Sequence, residues 1–88
     1  MIKGLDIYQQ LGKRIVYLRK KKKMSSLDLA IEAGINKNYL NDLENGRRNP
    51  TIMILRKISI ALEIDIAELF TGIRDYMLPG EKINIDFD

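Results

Sequence analysis

The chain has 88 residues, 45% of them hydrophobic and 31% charged, with a net charge of +3. For a chain of that size one core is expected, without a second, pocket-bearing domain, and domains this small often gain stability from a partner subunit. The absence of cysteine and histidine excludes disulfides, thiol nucleophiles, Cys/His metal sites and imidazole catalysis, so the chain reads as a non-enzyme with no metal, no cofactor and no small-molecule substrate.

From Asp6, a capping residue, Ile7, Leu11, Ile15 and Leu18 fall at i, i+4, i+8 and i+11. This spacing predicts an amphipathic helix running to about Lys22. The lysines of "RKKKK" have two readings: they complement its negative end without any ligand, or they reach a polyanion's phosphate backbone. Ser25 or Ser26 caps a second helix of about two turns, with Asp28 in its first turn and Leu29, Ala30 and Ala33 before a stop at Gly34. Asn36 caps a third over Lys37 to Asn45, ended by Gly46, and Pro50 leaves Arg47 to Asn49 as a loop. Thr51 caps a fourth, in which Ile52, Leu55, Ile58, Ile60, Ala61 and Leu62 are apolar on more than one face; it is expected to be the most buried helix. Asp65 to Phe70 predicts a short fifth helix that closes the core with Ile66, Leu69 and Phe70, and Thr71-Gly72 ends it.

Beyond residue 72 the pattern changes. Leu78-Pro79-Gly80-Glu81 fits a type II turn, and Ile83, Ile85 and Phe87 alternate with Asn84, Asp86 and Asp88 at the period of a strand. A lone strand is unstable, so it pairs with Tyr76-Met77-Leu78, pairs with another subunit, or stays loose. Type II turns suit hairpins poorly, which favours the last two. The expected organisation is an all-α, five-helix domain over residues 1–72 and a tail over 73–88, readable as a β-strand or dimerisation element.

Charge divides along the chain. Residues 1–48 hold eleven Lys/Arg against five acids, and residues 49–88 hold four against seven. A basic half suits a polyanion, and an acidic half turns away from one. No apolar run approaches the roughly 18–20 residues of a membrane span, and no secretory signal pattern opens the chain, so a soluble cytoplasmic protein is expected.

Two short helices joined through Gly34 make a helix-turn-helix. With Arg19, Leu29-Ala30, Gly34, Leu40, Leu43, Glu44, Gly46, Pro50, Leu55, Ile58, Leu62 and Glu68-Leu69-Phe70, the chain resembles the phage repressor and Cro-type (XRE) family over about residues 6–72. The resemblance implies a lambda-repressor-like fold. Glu44 lies one turn after Leu40, on the inward side, where an unpaired carboxylate is costly, and Arg19 lies one turn after Ile15 at the edge of the first apolar stripe. A pair between them would lock helix one to helix three, and the resemblance implies that same ion pair.

With Leu40 and Leu43 turned inward, Lys37, Asn38, Asn41, Asp42 and Asn45 occupy the outer arc of helix three. The resemblance implies that the N-terminal part of this helix meets base edges in the major groove of double-stranded DNA, placing Lys37 and Asn38 best, with Tyr39 and Asp42 beside them and Asn41 one turn on. Lysine donates to guanine, asparagine pairs with adenine, and aspartate accepts from cytosine N4. Tyr39 has two readings, a contact to phosphate or a thymine methyl, or a ring lying on its neighbours. Arg47, Arg48 and Asn49 follow the helix, where phosphate contacts would fix its depth, with Asn45 and Ser26 as further phosphate donors.

The family commonly opens its second helix with Thr-Gln followed by an acid. Here Ser25-Ser26 precedes Leu27, and Ile31 is apolar where a polar residue is usual. Serine reaches less far than glutamine, so part of the usual readout is missing or replaced.

The resulting expectation is a sequence-specific, homodimeric transcriptional regulator docking helix three in successive major grooves about 34 Å apart. It resembles small repressors or restriction–modification controllers. An alternative from a different class keeps the scaffold as a protein-interaction module, such as an antitoxin or anti-regulator. Salt-dependent duplex binding that is lost on changing Lys37 and Asn38 separates the two.

Overall fold

The computed structural model describes residues 6–74, and every regular element among them is helical. In order they are α1 (Ile7–Lys21), α2 (Ser26–Ala33), α3 (Lys37–Glu44), α4 (Ile52–Leu62) and a 3₁₀ helix (Ile66–Phe70). The fifth helix expected over residues 65–70 is thus a 3₁₀ helix and not an α-helix. The reason is local: Asp65 makes no side-chain cap bond, and five residues offer too few i→i+4 bonds to repay nucleation. The alternating segment 83–88 and the turn before it lie outside the described residues.

Each α-helix begins where a short polar side chain caps it. Asp6 accepts from the Gln9 N–H at 2.8 Å while the Gln9 side chain accepts from the Asp6 N–H, a reciprocal capping box. Ser25 and Asp28 repeat the device at α2, so Ser25 is the cap and Ser26 the first helical residue. Asn36 and Thr51 cap α3 and α4 by accepting from Tyr39 and Ile54 N–H.

The core is built from the periodic residues of all five elements. Leu11, Ile15 and Leu18 of α1 meet Leu29, Ala30 and Ala33 of α2, Leu40 and Leu43 of α3, Leu55, Ile58 and Leu62 of α4, and Leu69. Each large side chain buried here contributes about 1.5–3 kcal/mol. Helix α3 packs against α1 and α2, while α4 packs against α2 and the 3₁₀ helix.

The expectation that α4 is the most buried helix fails on its outer side. Ile52, Met53 and Ile60 are 70%, 52% and 57% exposed. Ile52 and Ile60 lie at i and i+8 on one side of the helix, with Arg56 between them and Met53 beside Ile52, so the extra hydrophobic positions form an outer strip, interrupted by one cation, that the described residues leave exposed. The packed unit runs slightly past residue 72: Ile73 packs against the core, and the Arg74 N–H donates to Gln10 Oε1 at 2.8 Å.

Candidate nucleic-acid interface

Helix α3 is held from three sides. At its start, Gly34 adopts the left-handed conformation (φ 69°, ψ 36°), and the Ile35 N–H returns to the Ala30 carbonyl at 3.0 Å. No neighbouring atom crowds a Cβ at Gly34, so glycine is favoured there by backbone conformation and not by space.

At its end, Arg19 Nε donates to Glu44 Oε2 at 2.7 Å and Arg19 Nη2 to Oε1 at 3.1 Å, a bidentate fork. Arg19 Nη1 reaches the Met24 carbonyl at 3.2 Å. The two side chains are only 13% and 7% exposed. Glu44 sits in the last turn of α3, where the helix dipole disfavours an anion, and the guanidinium offsets that cost.

Along its flank, α3 lies directly on Gly12 of α1. A Cβ at Gly12 would collide with the Glu44 carbonyl oxygen and come within 2.6 Å of the Leu43 carbonyl oxygen. Gly12 is the positioning residue that the sequence reading missed. Its signal was an isolated glycine inside a helical pattern, where it costs about 1 kcal/mol relative to alanine unless packing requires it.

The outer face divides into two parts. At the N-terminal end Lys37 and Asn38 are exposed, and neither side chain makes a hydrogen bond or ion pair to another described residue. Toward the C-terminal end the polar groups engage one another. Arg48 Nε and Nη2 donate to Asp42 Oδ2 at 3.3 and 3.2 Å, and Arg47 Nη1 lies 3.8 Å from Asp42 Oδ1. The Arg48 guanidinium stacks over the Tyr39 ring, 5.2 Å from its centroid. Tyr39 itself is half-buried against the core edge, so its ring lies on its neighbours in the free protein. Asn45 Nδ2 donates to the Asn41 carbonyl at 2.8 Å, which turns the Asn45 amide back onto its own helix. Ser26 is half-buried at the start of α2, and Asn49 is exposed beside Pro50.

The structure therefore brings Tyr39, Asp42, Arg47 and Arg48 into one cluster and leaves Lys37 and Asn38 facing outward. Periodicity could not foresee the cluster, because Arg47 and Arg48 lie beyond the helix end. The chain bends back there through an Arg47 N–H bond to the Asp42 carbonyl at 2.9 Å. Such a face offers hydrogen-bond donors at the helix N-terminus and guanidinium charge after its C-terminus, chemistry suited to base edges and phosphates respectively. Among the described residues no group of three or more His, Cys, Asp or Glu is placed to hold a metal ion, and no helix is long and apolar enough to cross a membrane.

A family model described as helix-turn-helix (HTH_3) matches residues 15–69. The chain is 41% identical over 61 residues to the HTH-type transcriptional regulator SlrR of Bacillus subtilis (strain 168), a match covering 68% of this chain and 40% of that protein. It is 36% identical over 69 residues to the control protein C.MunI of Mycoplasma sp, covering 77% of this chain and 93% of that one. Among solved structures, the restriction-modification controller protein C.AhdI from Aeromonas hydrophila superposes with a TM-score of 0.71 at 33% identity, over 72% of this chain and 96% of its own. The match thus spans less than half of SlrR but nearly all of the two controllers.

Proposed function

The chain belongs to the helix-turn-helix family HTH_3, and from that membership we propose that it is a sequence-specific transcriptional regulator that reads the major groove of double-stranded DNA with α3, as a homodimer. The observation that carries the reading is the exposed Lys37 and Asn38 pair at the start of a helix fixed by the Gly34 turn, the Arg19–Glu44 fork and the Gly12 contact. Rigid placement matters because base readout tolerates little positional error. In this reading Lys37 and Asn38 meet base edges, with Tyr39 and Asn41 at the margin of the contact. Arg47, Arg48, Asn49, Asn45 and Ser26 face the phosphates.

The names of relatives, a restriction-modification controller and a phage immunity repressor among them, favour a controller or repressor type, and the proposed place of action is the cytoplasm. The homodimer forms through the outer stripe of α4, where Ile52, Met53 and Ile60 stand exposed. Its two copies of α3 enter grooves about 34 Å apart. The proposed division is a helix-turn-helix unit over residues 1–72 and a tail over 73–88, of which Ile73 and Arg74 still contact the unit.

Selection from a random duplex library at near-physiological salt tests the proposal. Recovery of an inverted repeat with half-sites about 10 base pairs apart supports a groove-reading dimer. No enrichment by the folded protein rejects DNA readout and directs the search to a protein partner.

A further inference from the structure

We propose that Asp42 is an internal competitor for the phosphate-binding arginines: in the free protein its carboxylate holds Arg48, and docking on DNA transfers that guanidinium to a backbone phosphate. The inference rests on the DNA-binding reading above and assigns Asp42 a role other than accepting from cytosine.

The geometry points to this exchange in three ways. One carboxylate faces two cations, with Arg48 on Oδ2 at 3.2 and 3.3 Å and Arg47 3.8 Å from Oδ1. A phosphate oxygen can accept from the same two Arg48 N–H groups that converge on Asp42 Oδ2, so Asp42 occupies Arg48 as a phosphate would. Second, the pair remains reachable by water: the side chains of Asp42, Arg47 and Arg48 are 35%, 71% and 50% exposed. An ion pair this exposed is weak and exchanges readily. Third, Arg48 is prepositioned apart from its charge partner, because its guanidinium lies over the Tyr39 ring and the Arg47 N–H ties the loop to the Asp42 carbonyl. The arginine therefore waits at the end of α3 in place of being spread over solvent rotamers.

A carboxylate that must release its arginine before a phosphate can take it opposes binding to any sequence alike. Asp42 would accordingly lower affinity for bulk DNA and reduce the number of counterions released, while Lys37 and Asn38 retain the discrimination. It is a positioning residue, acting through Arg48.

The test titrates a fluorescein-labelled pool of random-sequence 20-base-pair duplex by anisotropy at several salt concentrations. Four proteins are compared: wild type, Asp42→Asn, Arg48→Ala and the double variant, each checked for folding by circular dichroism. Asp42→Asn should bind about two- to fivefold more tightly, and its slope of log affinity against log salt should steepen by up to about 0.9. In the Arg48→Ala background the same substitution should lose most of its effect, the coupling that a double-mutant cycle isolates. Unchanged affinity and slope in Asp42→Asn would overturn the proposal. So would an equal gain in both backgrounds, which would reduce Asp42 to plain charge repulsion. Library selection repeated with Asp42→Asn must return the wild-type site; loss of preference at a C·G pair would make Asp42 a base reader and overturn the proposal. Wild type that fails to bind duplex at any salt would reject the DNA-binding reading itself, and this inference with it.

Discussion

Arg19 and Glu44 show how a single pair joins the core to the interface. Both charges are largely withdrawn from water, and among the described residues they are satisfied by each other and by the Met24 carbonyl. Removing Glu44 strands a guanidinium, so Glu44→Ala should cost about 3–5 kcal/mol. Glu63, which is 79% exposed and pairs with Lys22 Nζ at 3.1 Å, provides the contrast: Glu63→Ala should move the thermal midpoint little. Equal midpoints for the two variants would contradict the account. A second residue-scale prediction concerns acid. The Asp28 carboxyl is held below its ordinary value of 3.8, first because it accepts from the Ser25 backbone N–H and then through the Ser25 side chain. A depressed carboxyl contributes stability that is present above its unfolded value and is lost as pH falls through the folded one. Asp28→Asn should therefore flatten the loss of thermal midpoint below about pH 4. An acid limb identical to wild type would show that the cap does not couple to folding. The inward positions of Arg19 and Glu44 are legible from helical spacing alone. The Arg48–Asp42 contact is not, because it depends on how the loop folds back across a helix end.

At the scale of elements, the caps explain why helix starts are readable from sequence. Asp6, Ser25, Asn36 and Thr51 each accept a backbone N–H at the residue where the apolar period begins. Two features escape that logic. The segment 66–70 carries apolar periodicity, but periodicity does not distinguish a 3₁₀ turn from an α-helix over five residues. Hydrophobicity of α4 likewise does not say which apolar side chains face the core and which face outward. Gly12 carries the sharpest prediction for packing between elements. Its missing Cβ is what allows α3 to rest on α1, so Gly12→Ala must push the helices apart despite alanine's better helix propensity. A loss of about 1–3 kcal/mol is expected, whereas propensity alone predicts a gain of about 1 kcal/mol. Chemical denaturation decides the sign, and a stabilised variant would refute the close approach.

For the molecule as a whole, the proposed function joins the exposed side of α4 to the outward face of α3: association through the first would set the spacing of two copies of the second. Replacing an exposed isoleucine with a charge should separate these functions. Ile60→Glu should keep the fold, since Ile60 is 57% exposed, yet sediment as a monomer and bind an inverted repeat at least about tenfold more weakly. A variant that remains dimeric would place the interface elsewhere. The central claim, that the N-terminal face of α3 reads bases, is tested most directly by the ratio of affinities for the selected site and for random duplex. That ratio is measured at one salt concentration for wild type and for a folded Lys37→Ala/Asn38→Ala variant. The account predicts that the ratio falls by about tenfold or more, since each base contact discriminates by about 1–3 kcal/mol, while residual binding to random duplex persists through the arginines. An unchanged ratio in the folded variant would contradict it.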